Sequence, residues 1–119
     1  MDININDREI FIPVTNGNDQ AKEPIRFHLR FLTAGEQSQL DYFEFSAVKG
    51  KGEPRVRVKA DNNFIFEHGV EKIENLNVNK EEIDTAEKYL STRGPKWMSD
   101  MLLEVALHLK MSMEIDRPN

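Results

Sequence analysis

The sequence predicts an α+β domain: a small antiparallel N-terminal sheet packed against three or four helices, with a long amphipathic helix at the C-terminal end. Three observations carry that prediction. Residues 25–32, IRFHLRFL, alternate strictly: Ile25, Phe27, Leu29 and Phe31 point one way, Arg26, His28 and Arg30 the other. That is the period of a half-buried strand. Thr33-Ala-Gly-Glu36 follows at once. This is a capping box, in which a threonine and the glutamate three residues on satisfy backbone N–H groups that a helix start leaves open. Residues 94–113, GPKWMSDMLLEVALHLKMSM, place Met98, Met101, Leu102, Val105, Leu109 and Met113 at spacings of three and four. Those positions form one apolar stripe on a helix about 28 Å long, and Pro95 suits its first turn.

The remaining elements follow in chain order. Residues 9–14, EIFIPV, alternate with Ile10, Ile12 and Val14 on one side and read as a strand. Pro13 cannot donate to a ladder, so the strand belongs at a sheet edge. Its cheapest partner is the next strand, 25–32, in antiparallel pairing. Ile3 and Ile5 suggest a short strand before it, and residues 15–24, TNGNDQAKEP, an exposed loop. The capped helix runs from Ala34 to about Phe45 and buries Leu40 and Phe43. Residues 55–60, RVRVKA, alternate again and offer a third strand or an ordered loop edge.

Asp61 can cap a further helix carrying Phe66, Val70 and Ile73, interrupted at Gly69. Asn75, Asn77 and Asn79 suit turns. Asp84-Thr-Ala-Glu87 is a second capped start, with Ala86, Tyr89 and Leu90 turned inward. The 119 residues make one domain, with a strand-rich part at 1–60 and a helical part at 61–119.

Composition excludes several classes of function. There is no cysteine, hence no disulfide framework, thiolate nucleophile or thiolate metal site. The first residues have neither the basic nor the apolar region of a secretory signal, and no apolar run is long enough to cross a bilayer. A cytoplasmic location is the expectation. The net charge of −5 opposes general binding to nucleic acid or anionic membrane. The charge is uneven: residues 1–59 hold nine acids and nine bases, residues 60–119 twelve acids and seven bases.

No catalytic constellation is present, and neither an enzyme nor a cofactor is expected. His68 lies beside Glu67 and Glu71, but a metal needs three converging ligands and no zinc-type spacing occurs. Arg55, Arg57 and Lys59, together with Arg26 and Arg30 on a neighbouring strand, could form a phosphate-binding stripe. The residues between these bases are aliphatic, so the stacking platform of single-strand binders is missing. Trp97, Met111 and Met113 mark a candidate protein-binding surface on the terminal helix, because methionine adapts to irregular partners.

Taken together, IRFHLRFLTAGE (25–36), VEKIENLNVN (70–79), TAEKYL (85–90) and the terminal helix resemble the tail assembly chaperones of long-tailed bacteriophages. The resemblance implies a non-enzymatic protein of the host bacterial cytoplasm. Such proteins coat the tape measure protein, help tail tube subunits polymerise around it and leave before the tail is complete. Members of that family are often extended by a translational frameshift, and the sequence leaves such a longer form open. The family is mostly helical, so the N-terminal strands depart from it. The alternative is a small nucleic-acid-binding or regulatory protein that uses the basic strand face. The sequence leaves homo-oligomerisation open.

Overall fold

The structure, a computed structural model, describes the backbone of residues 1–40 and 54–113 and the side chains of 1–40 and 61–113. Chain order is β1 (Arg8–Phe11), a 3-10 turn (Thr15–Gln20), β2 (Arg26–Arg30), α1 (helical over 34–40), α2 (Pro54–Gly69), β3 (Val70–Glu74), β4 (Asn77–Val78), β5 (Glu81–Glu82), α3 (Ala86–Ser91) and α4 (Lys96–Ser112). The fold is α+β. A three-stranded antiparallel sheet of order β1-β2-β3 packs with the helices, and β4-β5 form a separate hairpin.

The sheet centres on β2, whose alternation holds: Ile25, Phe27 and Leu29 are buried, while Arg26 is exposed and His28 and Arg30 half-buried. At its end the period breaks, and Leu32 rather than Phe31 enters the core. β1 pairs with β2 as expected, but its faces are reversed. Ile10 is 57% exposed and Val14 60%, whereas Pro13 is buried and Phe11 half-buried. The register explains this. Phe11 stands opposite Phe27, and Ile10 opposite His28. Directly paired residues share a face, so the fully buried Phe27 fixes Phe11 on the core side.

The third strand is β3, not residues 55–60, which belong to α2. Asp61 therefore lies inside α2 instead of capping it. The expected helix through Val70 and Ile73 also gives way, since α2 stops at Gly69 and both residues are buried in β3. Two strand residues three apart ordinarily face opposite sides. Here the register shifts between His28 and Leu29, and such an irregularity re-aims side chains. The three-residue spacing thus imitates a helix.

A side chain at Gly69 would crowd the core. A Cβ there would lie 2.6 Å from Leu109 Cδ1, so the junction of α2 and β3 passes directly against α4. The hairpin turn at Asn79 and Lys80 has φ of 52° and 66°. Positive φ at both central residues is what a two-residue type I′ turn demands.

The capping box forms as predicted: Glu36 N donates to Thr33 Oγ1 at 3.1 Å, and Thr33 N to Glu36 Oε1 at 2.8 Å. Leu40 is buried; the expected reach of this helix to Phe45, with Phe43, lies outside the described residues. At α3 the cap is Thr85, which accepts from Lys88 N, not Asp84, and Leu90 is exposed. Residues 1–7 contain no strand.

Residues 15–24 are more ordered than a plain loop. Asn18 is buried, donates to Pro13 O and Ile25 O, and accepts from Ile25 N at 2.8 Å. One core joins the parts before and after residue 60. At its centre Phe27, Phe66 and Tyr89 meet with ring centroids 4.9–5.9 Å apart.

Candidate functional site

α4 is amphipathic in two directions. Its core face carries Met98, Met101, Leu102, Val105, Ala106 and Leu109, all buried. The opposite face carries Leu103, Leu107 and Met111, which are 47%, 56% and 70% exposed. Spacings of four place these three on one ridge, about 12 Å long. Removing an exposed leucine or methionine from water is worth about 1.5–3 kcal/mol when burial is complete. An exposed apolar ridge of this kind is a place where another chain can gain that energy.

The flank of α4 beside the ridge is fixed by the N-terminal segment. Glu104 accepts from Val14 N at 2.8 Å, Thr15 N at 2.9 Å and Thr15 Oγ1 at 2.6 Å. Burial works against the Glu104 charge, yet the Thr15 hydroxyl and the two amides outweigh it and its pKa is lowered. One turn on, His108 Nε2 meets Glu9 Oε1 at 2.6 Å, and its ring stacks on Phe11 with centroids 4.1 Å apart. These contacts tie the N-terminal segment along the flank of α4.

The residues expected to bind a partner separate in the fold. Met111 lies on the exposed ridge. Met113 is half-buried, packs on the core, and its Sδ stands 3.1 Å from Leu32 N. Trp97 is also half-buried against the core. Leu103 and Leu107 are the ridge residues that sequence reasoning missed. Their signal was present: they share a spacing of four with Met111 but fall outside the main stripe.

The expected basic strand face does not form: Arg55, Arg57 and Lys59 belong to the backbone of α2, not to a strand beside Arg26 and Arg30. Arg30 is held bidentately by Glu36, with both nitrogens at 3.1 Å, and its Nη1 also donates to Phe31 O. The hydrogen bond with Arg30 is the main reason the Glu36 carboxyl falls to about 2. Arg26 is exposed on β2.

The histidines are similarly engaged. His28 bonds Glu74 at 2.9 Å, and this bond is the largest cause of the lowered Glu74 pKa. His68 Nδ1 lies 3.0 Å from Phe64 O, with its ring stacked on Phe64. Among the described residues no group of three histidines or acids could hold a metal ion, and no helix is long and apolar enough to cross a membrane. Comparison of the chain with family models, with curated proteins and with solved structures finds no match.

Proposed function

We propose that this protein is a non-enzymatic assembly chaperone that holds a helical client against the outer face of α4. The client of choice is the tape measure protein of a long-tailed phage, with the tail tube protein as a second, in the cytoplasm of the infected cell. The observation that carries the reading is the exposed Leu103–Leu107–Met111 ridge. Its spacing of four matches the apolar ridge of an amphipathic helix, the partner of helix-in-groove recognition. Two further points support it. Residues 25–36 and 70–90 resemble tail assembly chaperones, and the contacts at Glu104 and His108 present the ridge on a fixed support.

The test is co-expression with the tape measure protein of a long-tailed phage. Wild type is expected to co-purify with it at a low 260/280 nm absorbance ratio, and Leu107→Glu to lose it while keeping its thermal melt. Capture that survives Leu107→Glu sinks the docking face. A salt-sensitive, nucleic-acid-rich preparation without the client sinks the chaperone reading altogether.

A further inference from the structure

Asn16 is the one asparagine in the sequence that a glycine follows. With no Cβ on the next residue, the following backbone nitrogen is free to approach the asparagine side chain. The pair lies in the 3-10 turn between β1 and β2, and both residues are exposed. A Cβ on Gly17 would meet nothing within 4 Å, so the space beside it is open. Among the described residues no hydrogen bond holds the Asn16 side-chain amide, whereas the Asn18 amide is buried and makes three.

The backbone stands one rotation away from a cyclisation. Asn16 has φ 57° and ψ 28°, and Gly17 has φ 72° and ψ 16°. These are the angles of a type I′ turn. A five-membered ring closes only when the Gly17 nitrogen eclipses Cβ of Asn16, which for an L residue means ψ of about −120°, as at the first central position of a type II′ turn. Types I′ and II′ share φ at that position, so turning over the Asn16–Gly17 peptide plane converts one into the other. Gly17 then takes a negative φ, which glycine does without strain. The flip is opposed by the bond from Gly17 N to Val14 O at 3.0 Å, which it must break. Val14 and Thr15 are in turn gripped by Glu104, which accepts from both amides and from Thr15 Oγ1.

We infer that Asn16–Gly17 is a self-modifying site, at which Asn16 converts spontaneously to aspartate and isoaspartate at a rate set by the grip of Glu104 on the turn. The Gly17 N–H gives its proton to solvent base, and the nitrogen attacks Cγ of Asn16. The bond from Cγ to the side-chain nitrogen breaks, and that nitrogen takes up a proton and leaves as ammonia. The ring that remains is a succinimide. Water adds to one of its two carbonyl carbons and breaks that carbon's bond to the Gly17 nitrogen. Opening at Cγ gives aspartate; opening at the backbone carbonyl gives isoaspartate. Isoaspartate carries one more backbone carbon, so the turn from Val14 to Gly17 no longer closes in its native form. Either product also puts a carboxylate next to Thr15, where Asp19 already opposes the Glu104 charge. Conversion therefore loosens the N-terminal segment from α4, and does so in one direction only. None of this depends on the chaperone reading above.

The experiment is incubation of the full chain in mildly alkaline buffer, with conversion at each asparagine followed by peptide mass mapping. Wild type is compared with wild type in urea and with Glu104→Ala and Thr15→Val, whose thermal melts report that they fold. In folded wild type Asn16 is expected to convert first among the asparagines, but about tenfold or more slowly than in urea, because the turn must open before the ring can close. Glu104→Ala removes all three anchoring bonds and should speed conversion about fivefold or more, with Thr15→Val, which removes one, in between. Should Glu104→Ala fail to fold, Thr15→Val against wild type decides. Another asparagine converting first in the folded chain overturns the site. Equal rates in buffer and urea, or a rate indifferent to the anchoring variants, overturn the control by Glu104. The isoaspartate form, separated by chromatography, should show faster amide exchange at Val14 and Thr15; unchanged exchange there overturns the release of the segment.

Discussion

Replacing Glu36 by glutamine should cost stability at neutral pH and nothing in strong acid. The carboxylate accepts from Arg30 Nη1 and Nη2 and from Thr33 N, and its side chain is only 20% exposed. The Arg30 hydrogen bonds hold its pKa at about 2, below the ordinary carboxyl value of 4.5. Each unit is worth about 1.4 kcal/mol, so the shift corresponds to about 3 kcal/mol, nearer 2 once the water that reaches the pair is allowed for. The sign follows from linkage: a carboxyl depressed in the folded state contributes fully above its unfolded pKa, and the contribution disappears as pH falls through the folded value. The window is therefore from about pH 5 down to about pH 2. Glutamine keeps the shape and one acceptor but carries no charge. Urea unfolding at pH 7, 4.5, 3 and 2 should show wild type more stable than Glu36→Gln by about 2–3 kcal/mol at pH 7, with the difference down to about 0.4 kcal/mol at pH 2, where half the folded-state carboxyl is still ionised. Glu74, Asp84 and Glu104 also have lowered pKa values, but they occur in both proteins and cancel in the difference. A difference that is the same at every pH would refute the reasoning, because the loss would then be one of packing or capping.

Asn18→Ala removes three hydrogen bonds from a buried amide and strands the Pro13 and Ile25 carbonyls; urea midpoints should report a loss of about 2–3 kcal/mol. Gly69→Ala forces Leu109 aside at a closely packed junction and should cost about 1–3 kcal/mol in the same assay, with the fold retained by circular dichroism. Tyr89→Phe loses the 2.6 Å bond from the buried hydroxyl to Met98 O and leaves that carbonyl without its tyrosine partner, a cost of about 1–2 kcal/mol. Glu104→Ala should leave the core intact but release Val14 and Thr15, so amide hydrogen exchange there should accelerate while exchange at Val105 and Leu109 changes no more than global stability does.

The elements legible in the sequence are those whose signal is local and unambiguous. Strict alternation marks β2, two side chains three residues apart make the Thr33–Glu36 box, and one stripe defines α4. The failures share a cause, which is that short runs fit two periods. RVRVKA alternates over six residues, yet the helix that contains it is set by Asn62, Ile65, Phe66 and Gly69 further on, all buried at helical spacing. Val70 and Ile73 look helical because an irregularity in a strand restores a three-residue spacing, and no residue in the run announces it. The reversed faces of β1 are a register effect. EIFIPV has apolar residues on both sides, and only pairing with Phe27 decides which of them the core takes.

The candidate site was half legible for a different reason. Apolar residues on a helix are assigned to one core, so Leu103 and Leu107 were absorbed into the background of α4, and Met113 was read as a surface residue because it ends the helix. What separates the two faces is the rotation of the helix about its axis. That rotation is set by the burial of Met98, Met101, Leu102, Val105, Ala106 and Leu109, and contacts 89 and 99 residues apart in sequence, Thr15 with Glu104 and Glu9 with His108, tie the N-terminal segment along the flank. A polar pair at positions 104 and 108 cannot by itself indicate that it grips an N-terminal segment. With the core stripe buried, Leu103, Leu107 and Met111 are left on the outer side. Glu104 thus holds the N-terminal segment beside the exposed ridge, and under the proposed function loss of its three hydrogen bonds should weaken client capture without any change to the ridge residues themselves.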